Sequence, residues 1–78
     1  MSQLTIKTFG IISDIVGENS FVFDFVGNTQ LLRINLLHQY PGLQSLTFSI
    51  AVNKCLVLEP TDLKSGDEIA LLPPFSGG

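Results

Sequence analysis

The residues best placed to do chemistry stand at the end of the chain: Pro73-Pro74-Phe75-Ser76-Gly77-Gly78. Proline cannot extend a helix or donate to a strand ladder, so the pair closes the apolar run Ile69-Ala70-Leu71-Leu72 before it. After it comes one large apolar side chain, then residues that shrink to none. Such a tail can enter a narrow channel in another protein and place the Gly78 carboxyl at its bottom, because glycine lets backbone pass close to other groups. Small residues are also common in frayed chain ends. Phe75 has no use in a merely solvated linker, and the tail follows a strand that aims it.

A C-terminal carboxyl titrates near pKa ~3.5, so at neutral pH Gly78 carries an anion. Its delocalised charge makes it a poor electrophile until one oxygen becomes a leaving group. ATP supplies that by forming an acyl-adenylate. The sequence holds no Gly-x-x-x-x-Gly-Lys-[Ser/Thr] loop to bind ATP, so the activating enzyme is another protein and this chain binds no cofactor itself. Other candidates are weaker. Cys55 has no histidine or basic cluster beside it in sequence and reads as an inert, packed residue. His38 lies near a helix C-terminus, where a cation is favoured, and has no nucleophile nearby. Asp67 and Glu68 read either as a turn cap and a solvated acid or as partners for arginine on another protein.

Composition narrows the rest. Seventy-eight residues make one domain, with a single cysteine and therefore no internal disulfide. This fits a reducing cytoplasm. No leader-like segment opens the chain, and no apolar run approaches the ~18 residues that span a membrane. Charged residues are only 14% of the chain and hydrophobic ones 45%. A chain this small cannot hide all of that surface, so some awaits a partner. Net charge is −3 with four scattered cations, Lys7, Arg33, Lys54 and Lys64. That argues against nucleic acid as a ligand and for a basic protein partner, and the single cysteine leaves no four-cysteine metal site.

The positioning elements follow from periodicity. Leu4–Phe9 is a strand, residues 10–16 a short helix stopped by Gly17, and Phe21–Phe25 a second strand with its phenylalanines on one face. Asn28 caps a helix that runs to about Tyr40, where Pro41-Gly42 ends it. Thr29, Leu32, Leu36 and Tyr40 share its inner face, and Ile34 faces outward. Leu46–Val52 alternates as a third strand. Asn53-Lys54 turns it into Cys55–Leu58, Leu63 plugs the following loop, and residues 65–67 turn into a last strand, Glu68–Leu72. The order gives an α+β roll, one main helix and a short one on a mixed sheet of about five strands. Residues 1–73 form the domain and 74–78 a flexible tail.

Three segments resemble a known family: Ala51-Val52-Asn53; Leu63 with Gly66-Asp67-Glu68-Ile69-Ala70; and Pro73 through Gly78. Gln39-Tyr40-Pro41-Gly42-Leu43 fits as well. Together they resemble the small-subunit family of molybdopterin synthase, over essentially the whole chain. Ser13-Asp14-Ile15 and the stretch Arg33-Ile34-Asn35 depart from the family's usual charges. The resemblance implies a ubiquitin-like β-grasp fold with the first and last strands side by side. It also implies a chain that catalyses nothing alone. An E1-like adenylyltransferase uses ATP to activate Gly78, which becomes a thiocarboxylate. The tail then enters the large catalytic subunit, with Leu72, Pro73, Pro74, Phe75, Ser76 and Gly77 as its contacts, and gives sulfur to a cyclic pyranopterin precursor. A thiamine-pathway sulfur carrier, a ubiquitin-like protein modifier and an interaction domain with an inert tail are the alternatives.

Overall fold

A computed structural model of the chain describes residues 3–24, 27–57 and 60–73. Strand β1 (Gln3–Thr8) leads through helix α1 (Ile11–Val16) to β2 (Ser20–Asp24). Helix α2 (Thr29–Gln39) follows, then a 3-10 turn (Pro41–Ser45), β3 (Ser49–Val52), β4 (Cys55–Leu56) and β5 (Glu68–Leu72). The strands form one mixed sheet in the order β2-β1-β5-β3-β4. Strand β5 lies in the middle, parallel to β1 and antiparallel to β3. This is the β-grasp roll that the resemblance implies, with the first and last strands adjacent.

Alternation decides which face of the sheet is covered. Leu4 and Ile6 of β1, Ile50 of β3 and Ile69 and Leu71 of β5 point into the core with Ile12, Leu32, Leu36, Leu43 and Phe48. Lys7, Ala70 and Ser49 occupy intervening positions on the other face. Helix α2 starts where expected, because the Asn28 side chain accepts the Leu31 N–H at 2.9 Å. Thr29 is fully buried and tied twice to the loop before β5: its N–H donates to the Thr61 carbonyl, and its hydroxyl accepts the Thr61 N–H, both at 2.9 Å. The middle of the helix carries Arg33, whose guanidinium lies 4.4 Å from the Phe48 ring centre and donates to the Phe48 carbonyl at 2.8 Å.

Two expectations need correction, the start of β3 and the burial of Cys55. Helix α2 ends as expected, with Tyr40 as its cap, and Pro41 then opens a 3-10 turn that buries Leu43 completely. Gly42 is required there, since a Cβ would stand 2.9 Å from Cγ2 of Ile15 on α1. The third strand begins at Ser49, not Leu46, because Ser49 faces Leu72, the last residue of β5, and Pro73 beyond it has no N–H to offer. Cys55 is exposed, not packed, because β4 is a two-residue edge strand. Of the expected strand residues, Phe25 and Leu58 lie outside the described residues.

Candidate functional site at the end of the central strand

The side-chain hydrogen bonds and the ion pair that anchor β5 are concentrated at its start. Gly66, at φ +90°, turns the chain, and its N–H donates to the Gln3 carbonyl at 2.8 Å. Asp67 is 7% exposed. One of its oxygens accepts the Lys64 N–H at 2.8 Å, and the other accepts the Asn53 side-chain amide at 3.0 Å. These two hydrogen bonds hold the Asp67 carboxyl below the usual carboxylate range, against the opposing effect of burial. Asn53 reaches back, its Oδ1 accepting the Glu68 N–H at 2.9 Å and its own N–H donating to the Glu68 carbonyl at 2.7 Å. Asn53 and Lys54 both have positive φ, the two-residue hairpin geometry that asparagine tolerates. Asp67 is thus the turn cap of the two readings open in sequence. Glu68 is paired within the chain, 3.0 Å from the Lys7 ammonium.

At its other end β5 leaves the sheet. Leu72 and Pro73 are both half-buried. The ladder with β1 closes at Thr8 opposite Leu71, after which β1 turns away at Gly10 into α1. Phe9 and Ile11, on either side of Gly10, are 46% and 50% exposed. The open face of the sheet continues this apolar surface. Leu56 faces Ala51, Ala51 faces Ala70, and Ala70 faces Lys7, so these side chains form one row across four strands. Leu56 is 68% exposed. The candidate site therefore consists of the exit point at Pro73, the exposed apolar residues Phe9 and Ile11 beside Gly10 together with half-buried Leu72, which we call the collar, and an adjoining sheet face that carries the Lys7–Glu68 ion pair.

Of the residues expected at the site, Leu72 and Pro73 are placed here, and Pro74, Phe75, Ser76, Gly77 and Gly78 lie outside the described residues. Phe9 and Ile11 were not expected at the site. Their signal in the sequence was two large apolar residues flanking a glycine at a strand-to-helix junction. His38 is exposed on the opposite side of α2, beside a shallow groove with Ile34, Leu37 and Gln44. Ile34 is exposed, as its position on the helix requires. Among the described residues no group of His, Cys, Asp or Glu could hold a metal, and no helix is long and apolar enough to cross a membrane.

Comparison with known proteins agrees with this geometry. The family model for the ThiS family matches residues 6–78. The molybdopterin synthase sulfur carrier subunit of Dictyostelium discoideum is 35% identical, over 99% of this chain and 98% of that protein. A solved protein–protein complex of subunits 1 and 2 of molybdopterin-converting factor from Helicobacter pylori contains a chain 33% identical, with a TM-score of 0.73, covering 97% of this chain and 99% of that one. The small archaeal modifier protein 1 of Methanosarcina acetivorans is 26% identical with a TM-score of 0.80, over 100% of this chain and 98% of that one. With its β-grasp sheet and a match from β1 to the last residue, the chain belongs to the ThiS family.

Proposed function

We propose that this chain is the sulfur carrier subunit of a molybdopterin synthase. The carrying observation is the end of β5: the central strand of the sheet runs out at Pro73, next to a turn that exposes Phe9 and Ile11, and the next five residues of the sequence follow from there. Those residues reach about 17 Å when extended, enough to cross the outer shell of a partner. The Pro73-Pro74 base lowers the entropy lost on insertion, and Phe75 is the apolar anchor. The collar and the Leu56–Ala70 row dock against the large subunit, whose pocket supplies Lys or Arg for the anionic end.

The chemistry proceeds outside this chain's own surface. The Gly78 carboxylate attacks the α-phosphorus of ATP in an E1-like adenylyltransferase, and pyrophosphate leaves. A sulfur nucleophile then displaces AMP and leaves a thiocarboxylate. In the large subunit that sulfur passes to a cyclic pyranopterin precursor, water returns Gly78 to the carboxylate, and two such rounds build a dithiolene. The domain contributes aim and affinity, and Gly78 the reacting atoms.

Intact-mass measurement after coexpression with an E1-like adenylyltransferase tests this reading. The expected result is replacement of one oxygen by sulfur, mapped to Gly78, and loss of that sulfur on mixing with the large subunit and precursor. A chain that never gains sulfur would overturn it. Likeness to the archaeal modifier protein favours a second reading, in which the same activated Gly78 is joined to lysine amines. Conjugates of higher mass, linked through Gly78, distinguish it.

A further inference from the structure

We propose that Gly10 is a positioning residue for the tail. The β1–α1 turn forms a ledge on which Pro73 rests, and this inference depends on the sulfur-carrier reading only for its consequence in transfer.

The ledge is rigid. The Gly10 carbonyl accepts the Ser13 N–H at 3.1 Å and the Asp14 N–H at 3.4 Å, and the Phe9 carbonyl accepts the Ile12 N–H at 3.1 Å. Behind it, buried Thr8 donates its N–H to the Asn19 carbonyl at 3.0 Å. The Thr8 hydroxyl is hydrogen-bonded to the Ser13 hydroxyl and donates to the Glu18 carbonyl. These hydrogen bonds tie the turn to α1 and to the loop before β2.

Gly10 has φ +56° and ψ −133°, backbone that L side chains rarely adopt. A Cβ there would lie 3.4 Å from Cγ of Pro73. A methyl would already touch the ring, and any larger side chain would push against it. Pro73 itself has a fixed φ and no N–H, so it donates no ladder bond that would resist such a push. Its direction of departure is set by contact with the ledge. The missing side chain at position 10 and the missing N–H at position 73 therefore act together: one leaves space for the ring, the other frees the ring to occupy it.

The test compares three chains. One carries Gly10→Val, one carries both Gly10→Val and Pro73→Ala, and a chemically made chain carries D-alanine at position 10. D-Alanine accepts positive φ and directs its methyl away from Pro73. Residual dipolar couplings of the Phe75–Gly77 amides, measured relative to the sheet, report the tail's mean direction without any sulfur chemistry. Gly10→Val should change them. D-Alanine should not, and within the Pro73→Ala background Gly10→Val should leave them unchanged. In sulfur transfer, Gly10→Val should raise the carrier's KM for the large subunit about tenfold with kcat held within about twofold, because aim is lost and not reactivity. Melting temperature should fall equally in both backgrounds. Should Gly10→Val not fold, Gly10→Ala against D-alanine gives the same comparison. Couplings insensitive to position 10, or a change that persists in full with Pro73→Ala, would overturn the proposal. Altered couplings in a chain that never carries sulfur would instead sink the functional reading alone.

Discussion

The two ends of β5 are held by different physics. Its start is fixed by directional bonds: a buried carboxylate, an asparagine that both donates and accepts, and an ion pair. Its finish has a hydrophobic residue, a proline without a donor, and a glycine, Gly10, where a side chain would meet the Pro73 ring. Hydrogen bonds lock register, so they belong where the strand must not slip. Apolar contact and a missing donor release the chain, so they belong where the strand must let go. On the function proposed above, fold and function occupy opposite ends of one five-residue element.

The largest effect that could sharpen this contrast comes from Leu71→Ala. Leu71 is fully buried, and its loss should cost about 2–5 kcal/mol in denaturant unfolding. Leu72→Ser, one position on and half-buried, should cost about 1 kcal/mol or less yet weaken large-subunit binding. Equal losses at the two positions would break the comparison. Next is Asp67→Asn, which should cost about 1–3 kcal/mol, since an amide satisfies the Lys64 and Asn53 donors poorly. Its pH signature has a definite sign. The folded carboxyl is held below its unfolded value of about 3.9, so its contribution is present above that pH and lost as pH falls through the folded value. Denaturant midpoints measured downward from about pH 5 should therefore decline less steeply in Asp67→Asn than in the parent. The smallest effect is Lys7→Gln. Its ion pair with Glu68 is partly exposed, and the change should cost below about 1 kcal/mol, less still in high salt. A larger loss would mean that the sheet's open face stabilises the fold as well as meeting a partner.

Local chemistry explains what was legible in the sequence. Asn28 as a cap, Asn53-Lys54 as a turn and Glu68–Leu72 as a strand each rest on a few neighbouring residues, and the structure places all three as read. What failed depended on distant partners. The alternation of Leu46 and Phe48 reflects burial, but a ladder there needs donors beyond Leu72, where Pro73 offers none. Cys55 was read as packed because cysteine usually is, and its place on a two-residue edge strand could not be seen in its neighbours. At the candidate site, the strand that leads to Pro73 was legible. The collar was not, because Phe9 and Ile11 meet Pro73's surroundings only through the parallel pairing of β1 with β5.

That pairing has a mechanical consequence. A partner that grips the tail and tugs along β5 strains two ladders side by side, those to β1 and β3, with their bonds lying across the line of force. Many must yield together before any residue is drawn out, whereas a peripheral strand peeled sideways would give way one bond at a time. Placing the outgoing strand in the middle lets the domain be held and let go by its end without unravelling.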